Sequence, residues 1–275
     1  VYKEDDNYLC IPKFYGLKKF GKPDEDHEVE GVKVDYKFLY KPRKTDVLDQ
    51  NEVINDTIKK IDEVGGGLIC AGCGAGKTFM GLYIANHYKV KTLIIVHKTF
   101  LLNQWVEKIN EYTDGDCKVG IIQQKKVDVE GKDIVIGMLQ SISQLKYSQD
   151  ILGQFKFIIY DECHHTSAEK FSRALLLINS TYQLGLSATP TRKDGLTKVF
   201  KWFLGDIIYQ VKRQNTDIVK VNRYICSSTT GYYKEHFNKL GKPCIASMIN
   251  NVVAYKTRNN FIVDIIHNLV KEKRN

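Results

Sequence analysis

The sequence predicts an α/β fold: a parallel sheet with helices on both faces and its chemistry at the carboxyl ends of the strands. Three observations carry that prediction. From about residue 46 onward, short wholly apolar runs alternate with stretches of helical periodicity, the pattern of strands buried on both faces. A glycine-rich segment, AGCGAGKT (71–78), separates one such run from one such helix. Two later runs end directly on polar residues, Asp161-Glu162 and Ser187-Ala188-Thr189, and ligands of open parallel sheets bind at strand carboxyl ends.

The elements follow in order. Residues 1–45 are polar, charged and aromatic, with turns marked by Gly16, Gly21 and Pro23, and are expected to be an N-terminal extension with little core of its own. Within it VKVDYKFLY (32–40) alternates and predicts a strand. EVINDTIKKI (52–61) has helical spacing, GLIC (67–70) is a strand, and TFMGLYIANHY (78–88) is a helix. TLIIV (92–96), DIVIG (133–137), FKFIIY (155–160) and YQLGLS (182–187) predict further strands. LLNQWVEKI (101–109) and FSRALLLI (171–178) predict helices, the second opened by a capping box of Thr166 and Glu169. Within the basic connector 226–275, the stretch 226–250 is expected to be irregular and a helix is expected from about residue 259.

Composition narrows the class. Hydrophobic residues make up 43% and charged residues 27% of 275, the balance of a folded globular chain rather than a disordered one. No apolar run reaches the ~18 residues a membrane span needs, and the first residues do not read as a secretion leader. Seven cysteines, an odd number in a chain of this size, suggest reduced thiols; Cys70-x-x-Cys73 has no second pair at zinc spacing and is read as incidental. The net charge is +9. Residues 192–275 hold 16 Lys/Arg against 6 Asp/Glu, so the whole basic excess lies there. Such asymmetry suggests a polyanionic partner, although a solvated surface would give the same count.

The chemistry-bearing residues are specific. In the loop, Gly72, Cys73, Gly74, Ala75 and Gly76 would let backbone N–H groups converge on phosphate oxygens at a helix N-terminus. Lys77 would reach the β- and γ-phosphates of ATP, and the Thr78 hydroxyl would hold Mg²⁺. Ala71 stands where the strict motif has glycine. Asp161 is placed to bind Mg²⁺ and Glu162 to polarise the attacking water. His164 follows, suited to link nucleotide state to a substrate groove, with His165 opening a helix. Ser187, Ala188 and Thr189 could couple these acids to a moving partner. Lys98, Lys125, Lys126 and Lys146 read first as solvated charges, and Trp105 and Phe100, at helical spacing beside two leucines, as core.

Phosphate loop, DECH (161–164) and SAT (187–189), in that order, resemble motifs I, II and III of superfamily 2 helicases. The resemblance covers roughly residues 46–225, which it identifies as a first RecA-like, ATP-binding lobe. It implies ATP and Mg²⁺ as cofactors and nucleic acid as partner. Gln50 resembles the upstream glutamine that reads adenine. VHKTFLLNQW (96–105) resembles motif Ia, which implies backbone contacts by Lys98 and Thr99; IGMLQSI (136–142) implies the same for Gln140 and Ser141. SATPTRKDGL (187–196) is similar to the XPB-type branch, where an Arg-Glu-Asp triplet follows motif III; here Arg192-Lys193-Asp194 replaces its middle acid. CIPKFYGLKKFG (10–21) with DECHH looks like the XPB-related helicases of large cytoplasmic DNA viruses, one of which serves transcript release. That implies DNA rather than RNA, and a cytoplasmic viral factory or virion, or the nucleus for a cellular protein. No Q-x-x-G-R-x-x-R segment, the arginine-finger source of a second lobe, occurs. The chain is therefore expected to stand for a first lobe followed by a basic connector (226–275), with slow hydrolysis by itself. Three alternatives stay open: an RNA helicase, another P-loop NTPase such as a small-molecule kinase, and a nucleic-acid-binding module with a vestigial loop.

Overall fold

The computed structural model describes residues 2–271 except 5, 27–29, 46–47, 146, 163–167, 190–196, 212–221 and 227–232. The chain divides into two compact units, Val1–Arg213 and Gln214–Asn275. Among the described residues, no helix is long and apolar enough to cross a membrane.

The first unit is built on an eight-stranded sheet. After a two-residue hairpin, β1 (Lys3–Glu4) and β2 (Leu9–Cys10), and helix α1 (Lys13–Phe20), the chain forms α2 (Gln50–Val64), β3 (Gly66–Cys70), α3 (Lys77–Tyr88), β4 (Thr92–Val96) and α4 (Thr99–Thr113). It continues through β5 (Val119–Gln123), β6 (Lys126–Asp128), β7 (Ile134–Met138), α5 (Leu139–Gln144), α6 (Gln149–Leu152) and β8 (Phe157–Asp161). It closes with α7 (Ala168–Leu175), β9 (Tyr182–Ser187), α8 (Thr197–Leu204) and β10 (Ile207–Gln210). The sheet order is β10-β3-β9-β8-β4-β7-β5-β6, and only the β5–β6 pair is antiparallel. Each of β3, β4 and β7 is buried along its whole length, because helices cover both faces.

Two core layers follow from the alternation of side chains along these strands. One contains Ile69, Ile94, Ile136, Phe157, Ile159 and Leu184 against α2, α3 and α4. The other contains Leu68, Leu93, Val135, Ile158 and Tyr160 against α5, α7 and α8. The sequence reading missed β5, β6 and β10. These lie at the sheet's margins, where burial alternates or is partial, so they lack the continuous apolar run that betrays a central strand.

The expected strand over 32–40 is instead an extended segment with a single antiparallel bridge, Lys33 to Val90. Its alternation is real: Val34 and Tyr36 are buried, and Phe38 packs edge-on against Phe79 and Tyr83. Its backbone bonds, however, go to loop and helix-end groups, Val34 N–H to the Lys89 carbonyl and Leu39 N–H to that of Tyr112. The segment crosses the ends of helices, so no ladder partner is available, and its apolar side chains join the core of the unit that follows.

In the second unit, the described residues form a bridge between Phe237 and Pro243, α9 (Ile245–Ala254) and α10 (Lys256–Lys271). Helix α10 coincides with the expected C-terminal helix; α9 lies partly where an irregular connection was expected. Of the capping box read ahead of FSRALLLI, Thr166 lies outside the described residues.

Candidate active site

Strands β3, β9 and β8 are neighbours, and their carboxyl ends bring three sequence motifs into one row. Cys70, the last residue before the loop, is in register with Ser187, and Leu186 with Asp161. The Ala71 N–H donates to the Ser187 carbonyl at 3.0 Å. The chain thus joins the start of the glycine-rich loop to the SAT segment through backbone alone, and no side chain is needed at position 71.

The loop itself is shaped by glycine. Gly74 and Gly76 have φ of +80° and +83°, a region costly for residues with a Cβ, and Gly76 is the N-cap of α3. A Cβ at Gly72 or Gly74 would meet nothing within 4 Å. Residues 72–74, Gly72, Cys73 and Gly74, are exposed, while Ala75, Gly76, Lys77 and Thr78 are half-buried at the helix start. An open cradle at a helix N-terminus suits an anionic phosphate chain. The Lys77 Nζ donates to the Ala71 carbonyl at 2.9 Å and lies 3.6 Å from Glu162 Oε1. The lysine and the second acid therefore meet across the mouth of the cradle.

Asp161 ends β8, and its carboxylate lies deeper. Burial pushes its carboxyl above the ordinary value, and a hydrogen bond from the Trp105 indole pulls it back part of the way. That bond, Trp105 Nε1–H to Asp161 Oδ2, is 2.8 Å long. Glu162 follows with φ of +48°, a left-handed backbone that is uncommon for a residue with a side chain and recurs at functional turns. The turn aims two consecutive carboxylates to the same side of the sheet, which a continuing strand would send to opposite faces.

Gln50 is 5% exposed and opens α2 behind the Asp49 cap. Its Oε1 accepts from the Arg43 N–H at 2.9 Å and its Nε2 donates to the Ala75 carbonyl at 3.2 Å. A Cβ at Gly76 would collide with that Nε2. The glutamine therefore ties the N-terminal segment to the loop. Ser187 is buried, and its Oγ donates to the Thr189 carbonyl at 2.6 Å while accepting the Thr189 N–H at 3.2 Å. This closed turn leaves Ala188 half-buried and Thr189 exposed.

A second group lies beside the first, at the carboxyl ends of β4 and β7. Lys98, Thr99 and Phe100 are exposed around the start of α4, with the Lys98 ammonium 5.6 Å from the centre of the Phe100 ring. Gln140 Nε2 donates to the His97 carbonyl at 2.7 Å, and the buried Ser141 Oγ accepts the Gln124 N–H at 2.8 Å. Phe100, read as core, is 54% exposed, whereas Trp105 is 1% exposed. One turn and a half of helix separates them, and α4 buries only the face on which Trp105 lies. His164, His165, Arg192, Lys193 and Asp194 lie outside the described residues, as does Lys146.

Among the described residues, no three His, Cys, Asp or Glu side chains cluster so as to hold a metal. The oxygen donors that are present, the Thr78 hydroxyl and the Asp161 carboxylate, suit Mg²⁺, which takes one or two protein ligands and completes its shell with phosphate and water. Among the cysteines, burial pushes the Cys70 thiol up to about 11, whereas Cys73 is exposed in the loop. N-ethylmaleimide is expected to label Cys73 in minutes at pH 7.5 and to leave Cys70 intact. Mass spectrometry with and without saturating nucleotide checks this; nucleotide is expected to slow the labelling of Cys73 alone.

The comparisons with known proteins agree with this arrangement. Residues 45–192 match the family model described as the type III restriction enzyme, res subunit. The chain is 36% identical over 285 aligned positions to a putative ATP-dependent RNA helicase of Acanthamoeba polyphaga mimivirus, covering all of this chain and 53% of the relative. It is 37% identical over 144 residues to a DNA 3′–5′ translocase of the XPB type from Sulfurisphaera tokodaii, covering 52% of this chain and 31% of that protein. The chain thus spans about half of the first of these relatives and about a third of the second. The crystal structure of the UvsW helicase from bacteriophage T4 shares its fold with a TM-score of 0.52 at 20% identity, over 74% of this chain and 80% of the other. A match over more than half of the chain, through the loop, the acid pair and the SAT segment, places this protein in the res-subunit family of superfamily 2 helicase domains, of which it carries the first RecA-like lobe.

Proposed function

We propose that the protein binds ATP with Mg²⁺ and hydrolyses it to drive a nucleic-acid translocase or helicase of superfamily 2. The observation that carries this reading is the meeting of Lys77 and Glu162 at 3.6 Å beside an open phosphate cradle. In the proposed roles, Lys77 with the loop amides of residues 72–77 holds the phosphates, and Thr78 and Asp161 hold Mg²⁺. Mg²⁺ would neutralise charge on the phosphates during transfer. Glu162 accepts a proton from, and orients, the attacking water. Ser187, Ala188 and Thr189, next to the loop through Ala71, relay the state of the site to a partner lobe; the same coupling role is proposed for His164 from its place in the sequence after Glu162. Gln50 senses the base from its place against the loop, and its amide bonds to Arg43 and Ala75 add a second role in holding the loop.

Lys98, Thr99, Gln140 and Ser141 lie at the same carboxyl-end edge of the sheet as the nucleotide residues, and we assign them contact with a phosphate backbone; the same role is proposed for Arg192 and Lys193 from the sequence alone. We favour duplex DNA, in line with the name of the Sulfurisphaera relative; the mimivirus relative's name favours RNA as the second reading. With a viral relative matched along the whole chain, we favour a viral setting, in a cytoplasmic factory or virion, and a role in viral transcription as the resemblance to the DNA-virus helicases implies.

Steady-state ATPase with no polymer, duplex DNA, single-stranded DNA and RNA tests this. Low basal turnover, stimulated most by duplex DNA and weakened as salt rises, is expected. Robust turnover indifferent to every polymer would overturn the motor reading, whereas turnover that stays low with intact nucleotide binding would be that of a first lobe lacking its partner.

A further inference from the structure

A residue that touches the acid pair directly belongs to neither nucleotide motif. Trp105 sits on α4, is 1% exposed, and donates its only hydrogen-bonding group to Asp161 Oδ2 at 2.8 Å. Its ring is held from the other side by α3. At Gly81 a Cβ would stand 3.6 Å from the indole Cη2, 3.5 Å from Ile159 Cδ1 and 3.2 Å from Leu186 Cδ1. The glycine therefore lets the helix that begins at Lys77 lie flush against the indole. One side chain is fixed between the phosphate-loop helix, the strand that carries the acid, and the helix whose exposed first turn holds Lys98 and Thr99.

A carboxylate offers two oxygens, and fixed donors set which way each points; the Asp161 carboxylate takes a bond from the neighbouring Glu162 N–H as well as from the indole, and of these two only the indole comes from another element. A core tryptophan kept only for packing has no need of a buried carboxylate, and an indole N–H has few other ways to be satisfied there.

We infer that Trp105 is a positioning residue: its indole N–H fixes the Asp161 carboxylate so that Oδ1 faces the metal, and it ties that orientation to α4. The inference rests on the nucleotide reading above. A displacement of α4 by a backbone engaged at Lys98 and Thr99 reaches the metal-binding acid through one rigid ring, without passing through the loop.

The test compares binding of the fluorescent nucleotide mant-ADP in MgCl2 and in EDTA, for the wild-type chain and for Trp105→Phe, which keeps an aromatic ring and loses the donor. The ratio of the two dissociation constants measures what Mg²⁺ adds. The ratio is expected to fall about ten-fold in the variant, the usual effect of losing a partner that orients a metal ligand, with affinity in EDTA unchanged. An unchanged ratio, or equal weakening in both buffers, overturns the inference while leaving nucleotide binding intact. A wild-type chain that binds no mant-ADP in either buffer overturns the nucleotide reading and this inference with it. If Trp105→Phe does not fold, the wild-type protein decides. With ¹⁵N-labelled tryptophan, and Trp202→Phe to assign the two indole signals, ADP with Mg²⁺ is expected to shift the Trp105 signal more than ADP in EDTA. Equal shifts overturn the inference.

Discussion

Lys77→Ala is expected to lower ATP turnover by about 10²–10³, the cost of removing one pre-aimed cationic donor from a site of developing charge. In the structure Lys77 is anchored by the Ala71 carbonyl and faces Glu162, so it is held in place before nucleotide arrives. Alanine removes the charge and leaves the glycines and the helix start intact, so weaker phosphate binding should accompany the rate loss. Glu162→Gln separates the two effects. It keeps the size and much of the hydrogen bonding of the side chain but cannot accept a proton. Turnover is expected to fall about 10²–10⁴ with nucleotide affinity nearly unchanged. Parallel ATPase and mant-nucleotide titrations measure both. Equal loss of binding and rate in Glu162→Gln would mean that Glu162 is structural.

Phe157→Ala is expected to do the reverse. Phe157 is fully buried at the start of β8, with its ring 5.3 Å from that of Tyr88. Removing it leaves a cavity beneath a central strand and costs about 3–5 kcal/mol. For a chain of this size that is roughly 6–20 °C in the melting temperature, read by circular dichroism. Lys77→Ala, at the half-buried end of the same architecture, is expected to melt within a degree or two of wild type. If Phe157→Ala melted normally, the core would not be packed as the strand register shows.

The contrast between these substitutions marks what could be read from the sequence. The phosphate loop, the acid pair and the SAT turn are each contiguous, because each is one strand end and the turn after it. Their residue types are fixed by local demands: glycine where φ is positive, a carboxylate where a cation must sit. The central strands were legible for a related reason. Burial on both faces allows only apolar residues, so TLIIV and YQLGLS announce themselves to within a residue. The edge strands β6 and β10, and β5 beside β6, were not legible, because a half-exposed strand resembles a loop.

Trp105 shows the limit most clearly. The sequence offered Phe100 and Trp105 as a pair of core aromatics, and nothing in it connects Trp105 to Asp161, which lies 56 positions away. The structure exposes one ring and directs the other to the acid. Gln50 is a similar case: its position in the chain was legible, but the bonds of its amide to Arg43 and Ala75 depend on where two loops converge.

The sequence by itself determined the fold class, the order of the central strands and of helices α2, α3, α4, α7 and α10, and the three segments proposed to carry the chemistry, because each rests on hydrophobic period or on contiguous backbone geometry. The tertiary structure decided which of those segments become neighbours. Cys70 meets Ser187, and Asp161 meets Leu186 and the indole of Trp105, because sheet order is set by burial across the whole core and not by any local run of residues.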